Sequence, residues 1–229
     1  MSEERKYGYI NIALDLEGTG WSMKRHGIVQ LGAVVMESET RKVLETFEVD
    51  INLPEDRGWE DRCVNEFWNS KEPLRNLKKK IDNDEGEAPK VAMKKFCTFM
   101  QRAFETYAYG DINRVRILTD TVSYDPGWIN LYLAEYADSK PLHLIFEGKF
   151  RDVIELGSYE QGRSGITHTE ELLQVDDQKR KEGRGYFSQE KSCLKKLKIT
   201  DTPKVEADHH AVNDAINMAE MFNIVMYHQ

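Results

Sequence analysis

Tyr9-Ile10-Asn11-Ile12-Ala13-Leu14-Asp15-Leu16-Glu17-Gly18-Thr19-Gly20 is the stretch from which the rest of the chain is read. Its first six residues are uncharged, mostly apolar and β-leaning, as a buried strand requires. Two carboxylates follow, two positions apart. Side chains alternate along a strand, so Asp15 and Glu17 leave the same face within reach of each other. Crowded beside a sheet, they repel and resist desolvation unless a proton or a cation compensates. Hard oxygen ligands of this kind suit Mg²⁺ or Mn²⁺. A plain strand end running into a Thr-Gly turn accounts for the acids equally well, so they do not decide the chemistry alone.

Two further stretches bear on the choice. Asp208-His209-His210-Ala211-Val212-Asn213-Asp214-Ala215 opens a helical pattern with Ala211, Ala215, Met218 and Phe222 on one stripe. A His and an Asp five residues apart do not share a helix face. That spacing puts His209 at or before the helix start and Asp214 on its early turns. Helical spacing by itself would instead pair His210 with Asp214, at i and i+4. Between the two ends, Val115-Arg116-Ile117-Leu118-Thr119-Asp120-Thr121-Val122-Ser123-Tyr124-Asp125-Pro126-Gly127-Trp128 reads as a buried strand, a turn and a helix start. Asp125 before Pro126 is well placed as an N-cap, which is a sufficient reading in isolation. Beside the other two sites it becomes a fourth acid at a strand-to-helix junction.

Together, Asp15-x-Glu17-x-Thr19-Gly20, Tyr124-Asp125 and His209-x-Ala211-x-x-Asp214-Ala215 resemble the three motifs of DEDD-type 3′→5′ exonucleases, in the histidine-bearing (DEDDh) branch. They occur in that family's order, and the resemblance spans residues 8 to 226, with His26 to Val34 similar to its second strand. It implies a ribonuclease-H-like fold, a mixed α/β sheet flanked by helices. It implies Asp15, Glu17, Asp125 and Asp214 as ligands of two Mg²⁺ or Mn²⁺ ions, and His209 rather than His210 as general base. The implied activity is hydrolysis from the 3′ end of single-stranded RNA or DNA, releasing nucleoside monophosphates. Two departures stand out. Gly18 replaces a frequent Thr, and Asp120-Thr121 stands where many members have His-Asn, which bears on substrate preference.

Substrate contacts are expected from Thr19, beside the acids, and from Phe67 and Trp68. Aromatic faces stack on unpaired bases, at roughly 1–3 kcal/mol each. A helix packing Phe67 or Trp68 into the core is the competing reading. Two other function classes keep the same residues in play: a non-catalytic nucleic-acid-binding scaffold, and a metal-dependent phosphodiesterase for small nucleotides.

Bulk properties fit one domain over residues 1–229. Cys63, Cys97 and Cys193 are odd in number and widely spaced, which suggests neither a disulfide framework nor a zinc site. No segment approaches the ~18 apolar residues that cross a membrane, and Met1 to Lys6 is polar, so a cytoplasmic protein is expected. Lys+Arg 32 against Asp+Glu 40 gives a net charge of −8, which two divalent ions would halve. A long electrostatic track for phosphates is therefore not expected, and binding should rest on local cations and the metals. Lys78-Lys79-Lys80, Arg114 with Arg116, and Lys179-Arg180-Lys181 are the candidates, against a solvated surface for each. The expected partner is single-stranded nucleic acid, with no membrane; a homodimer is admitted but not required.

In outline, strands are expected at Tyr9–Leu14, Ile28–Glu37 with Gly32 tolerated inside it, and Leu44–Ile51. A helix is expected over Val91–Tyr107, a strand at Val115–Leu118, a helix from Pro126, a strand at Leu142–Phe146 and a C-terminal helix pair. Asp82–Glu87 is a loop, because its acid run and Gly cannot bury a face. Ser158–Ser188, rich in Gly and charge, reads as a flap or surface insertion with a short helix at Thr169–Asp177.

Overall fold

In the computed structural model, residues 7–121, 123–146, 153–156, 197–205 and 208–227 are described. Ser158–Ser188, with its expected flap and helix, lies outside them, as do Lys179-Arg180-Lys181 and Cys193. A five-stranded sheet in the order β3-β2-β1-β4-β5 forms the frame. Its strands are β1 (Ile10–Gly18), β2 (Ile28–Glu37), β3 (Val43–Asp50), β4 (Val115–Thr119) and β5 (Val153–Glu155). The first three form antiparallel hairpins; β4 adds to β1 in parallel, and β5 to β4 in parallel. The sheet is therefore mixed, as the three short-turned strands followed by alternating elements require.

Period-two alternation assigns the two faces. Ile10, Ile12, Leu14 and Leu16 of β1 join one cluster with Leu31, Ala33 and Val35 of β2. Helix α3 (Pro89–Tyr107) covers that face with Ala92, Phe96, Phe99, Met100 and Ala103 at helical spacing. Replacing one of its buried Phe residues by Ala should cost about 3–5 kcal/mol. Ala13, Val34 and Met36 point the other way, into a second cluster with Ala215, Met218 and Phe222 of α5 (Ala211–Tyr227). Asn11 shares that second face and donates from Nδ2 to Asn223 Oδ1 of α5 at 2.5 Å. The same alternation sends Asp15 and Glu17 toward α5.

Helix α1 (Asp61–Cys63) runs into a π turn at Val64–Trp68, followed by α2 (Glu72–Asp82). These pack over one end of the sheet in a cluster of Val29, Trp68, Leu74 and Ile81. Helix α4 (Asp125–Tyr132) follows β4.

Two expectations change. β1 continues through the acids to Gly18, with Asp15 opposite Gly32 and Glu17 opposite Gln30, so the carboxylates belong to the strand itself. Leu142–Phe146 is not a strand: Leu142–Leu144 is a 3₁₀ turn. Its amides donate locally, Leu142 to Asn130 Oδ1 at 2.6 Å and Leu144 to Pro141 O at 2.8 Å, which leaves no ladder to join. Of the expected C-terminal helix pair, α5 is described, and residues 157–196 before it lie outside the described ones.

Candidate active site

Glycine 32 sets how close the two halves of the site come. A Cβ on Gly32 would lie 2.2 Å from Ala211 C and 2.3 Å from Val212 N, so the backbone of α5 rests directly on β2. Gln30, on the same face two residues earlier, accepts from the Ala211 amide at 2.9 Å. Its own amide donates to Asp50 Oδ1 at 2.8 Å, and Lys80 Nζ holds the other Asp50 oxygen at 2.6 Å. The first amide of α5 is thus satisfied by a side chain braced from β3 and α2. This seat brings the start of α5 over the ends of β1 and β2.

Four carboxylates meet there. Ligand-capable atoms of Glu17, His209 and Asp214 all lie within 4.8 Å of one another. Asp15 and Asp125 stand outside that set and are coupled to it through charge. Burial pushes the Asp15 carboxyl well above its ordinary range, with Glu17, Asp125, Asp214 and Asp120 adding repulsion. Glu17 is raised well above its range by burial, then by Asp214, Asp125 and Asp208, with Lys71 opposing. Burial raises Asp125 to about 6, against the bonds it accepts from Thr119 and Thr121. Asp214 is raised by burial too, against the amide bond from Asp208. A cluster so desolvated cannot carry its full charge without cations.

Each acid is held by neighbours. Thr119 Oγ1, at the end of β4, donates to Asp125 Oδ2 at 2.7 Å. Asp125 is the first residue of α4 with Tyr124 in the cap position, so its carboxylate does not cap the helix as expected from Asp-Pro. It turns back to β4 and the acids instead. The Asp208 amide donates to Asp214 Oδ1 at 2.9 Å.

The two histidines part. His209 precedes α5 in the left-handed region, φ +67°, is exposed, and joins Glu17 and Asp214. His210 points elsewhere: its Nδ1 lies 2.9 Å from Glu48 Oε1 of β3. The i,i+4 pairing of His210 with Asp214 exists only as the backbone bond from the Asp214 amide to the His210 carbonyl.

The expected substrate contacts divide as well. Trp68 is fully buried, and its indole N–H donates to Gly18 O at 3.2 Å, so it has no free face for a base. Thr19 is fully buried too. Its hydroxyl donates to Gly58 O at 2.7 Å and accepts from the Gly27 amide at 2.9 Å, closing the turn after β1 rather than facing a ligand. Phe67 is half-buried, with its ring edge-to-face against His209, centroids 5.1 Å apart. Several basic candidates are engaged within the fold. Lys78 bridges Asp82 at 2.6 Å, Arg114 holds Gly8 O at 2.7 Å, and Arg116 reaches Ser38 Oγ at 3.1 Å. Sequence reading gave no role to Asp208 or Gln30 and singled out Asp120 only as a departure from the resembled motif; the one signal for Asp208 was its place beside His209.

No family model and no curated protein matches this chain. Solved structures do. The nuclease domain of 3′hExo, a DEDDh family member bound to rAMP, has a TM-score of 0.56 at 13% identity, covering 97% of this chain and 94% of that one. E. coli Exonuclease I in complex with a dT13 oligonucleotide has a TM-score of 0.61 at 13% identity, covering 96% and 42%. Cell-death related nuclease 4 has a TM-score of 0.59 at 16% identity, covering 96% and 64%. The chain thus spans less than two thirds of that nuclease. At these identities the likeness shows the fold, the ribonuclease-H-like one implied by the motifs.

Proposed function

We propose that the chain is a metal-dependent 3′→5′ exonuclease that hydrolyses phosphodiester bonds at the 3′ end of single-stranded nucleic acid. The observation that carries this is the approach of Glu17, His209 and Asp214 to within 4.8 Å at the mouth of a carboxylate cluster. A base-capable group and anionic oxygens share one small volume, open to solvent through His209.

The donor set fits divalent cations. Its atoms are hard carboxylate oxygens, desolvated and raised by mutual repulsion, which a cation would relieve. Asp15, Glu17, Asp125 and Asp214 would hold two ions, Mg²⁺ or Mn²⁺. When bound, these would polarise the scissile phosphate and ease deprotonation of the attacking water.

The protein's own groups do the rest. His209 accepts the proton of the attacking water as its oxygen bonds to phosphorus and the bond to the 3′ oxygen breaks. The products are a nucleoside 5′-monophosphate and a strand shorter by one, whose new 3′ oxygen takes a proton from solvent. Thr119 and the Asp208 amide keep Asp125 and Asp214 facing the site. That an Exonuclease I of this fold has been solved with dT13 supports a single strand as the substrate.

The test is a substrate panel: 5′-labelled single-stranded RNA and DNA and mononucleotide esters, each with Mg²⁺, Mn²⁺ or chelator. The reading predicts metal-dependent release of monophosphates from the strands. Turnover of the esters alone would make this a small-substrate phosphodiesterase; binding of strands without turnover would make it a scaffold.

A further inference from the structure

We propose that Phe67 is a positioning residue for His209, the outer end of a chain of rings that fixes the imidazole against the acids. The inference rests on the reading of His209 as the general base. His209 sits before α5 at positive φ and is exposed, so its ring is not enclosed by core packing. Phe67 meets it edge-to-face, at a centroid distance of 5.1 Å and an angle of 78°. This is a favoured geometry for ring pairs.

Phe67 is in turn held from inside. Its ring packs at 88° against Trp68, centroids 5.3 Å apart, and Trp68 packs at 80° against Trp59 at 5.0 Å. Trp68 is fully buried in the cluster over the sheet end. The Ser70 amide and hydroxyl both donate to the Phe67 carbonyl, at 2.9 and 2.6 Å. The π turn Val64–Trp68 puts two adjacent residues to separate tasks, one anchored and one presented. The anchor also matters for the acids. Trp68 donates to the carbonyl of Gly18, the residue after Glu17, so one rigid block references both Glu17 and His209.

The consequence is a loss in turnover rather than in binding. F67A should lower kcat roughly two- to tenfold, the rotamer bias an aromatic pair supplies, with KM little changed. F67Y, which keeps the ring, should restore kcat, while F67L, similar in bulk, should not. Because Phe67 acts through His209, F67A combined with H209A should be no slower than H209A alone. A raised KM with unchanged kcat would overturn the proposal, since the ring would then bind substrate. Additive losses in the double variant would overturn it equally.

A substrate-free arm separates this inference from the exonuclease reading. In ¹³C-histidine-labelled protein, the His209 ring resonance is the one that vanishes in H209A. It should move in F67A and stay in F67Y. If it does not move in F67A, the positioning role fails whatever the activity. If it moves and the wild type hydrolyses no strand, the contact stands and the exonuclease reading fails.

Discussion

Gly32→Ala is the smallest change that reaches the site without touching a functional side chain. The added Cβ would lie 2.2 Å from Ala211 C, 2.3 Å from Val212 N and 2.5 Å from Ala211 O, all backbone atoms. Ordinary contact begins at 3.4 Å, so the start of α5 must retreat by about 1.2 Å or β2 must give way. Such overpacking costs typically about 1–3 kcal/mol. In a chain of this size that is a fall of roughly 2–4 °C in Tm per kcal/mol. The functional loss should be larger. Asp214 and His209 ride on the segment that moves, whereas Glu17 stays on β1, and a misplacement of about 1 Å can cost 10²-fold in rate. We therefore expect about a hundredfold loss of strand-shortening rate, with a cooperative melt and native circular dichroism retained. Gly58→Ala is the control, because a Cβ there meets nothing within 4 Å. The assay is degradation of a 5′-labelled single strand alongside thermal melts of both variants. Near wild-type activity in G32A with an intact fold would refute the claim that this contact sets the distance between the halves of the site.

Asp15→Asn should abolish turnover while leaving the metal-free protein at least as stable, since it removes a charge that burial and four other acids already oppose; substantial activity, or a marked drop in Tm with chelator, would count against it. His209→Ala should lose most activity and His210→Ala much less, because His210 is turned to Glu48; the reverse ranking in the same assay would assign the base to the wrong histidine. The pH dependence of metal-free stability has a definite sign. A carboxyl whose folded pKa is raised contributes stability below its unfolded value that is lost as pH climbs through the folded one. For Asp125 that window runs from its ordinary 3.8 to about 6, and Asp15, Glu17 and Asp214 push the same way. In chelator, Tm should therefore fall over this range, and Mn²⁺ should recover it more at about pH 7 than at about pH 4. A Tm that rises with pH in chelator and ignores Mn²⁺ would contradict the cluster.

The hairpins and the main helices were legible because their signals are local. The apolar run Tyr9–Leu14 and the helical spacing over Val91–Tyr107 each mark a buried element, and the structure buries both. The direction of Asp15 and Glu17 followed from the strand period of two. What the chain hid depends on contacts between distant residues. Gly32 read as a tolerated break in a strand, since nothing near it in sequence announces that α5 will lie on it. Asp125 taken alone read as an N-cap before Pro126, and only the other two motifs made it a fourth acid; the hydroxyl of Thr119 that holds its carboxylate was not signalled. Phe67 and Trp68 could not be sorted into inward and outward because a π turn obeys neither the strand nor the α-helix period. Leu142–Phe146 has strand-like composition, but Pro141 and Asn130 close its amides into a turn.

The most direct test compares a linear single strand, labelled at its 5′ end and bearing a free 3′ hydroxyl, with a covalently closed circle of the same sequence. Both are incubated with the wild-type protein and Mn²⁺. The account predicts that the linear strand shortens one nucleotide at a time from its 3′ end with the label retained, and that the circle persists. Nicking of the circle, or early release of the 5′ label, would contradict it.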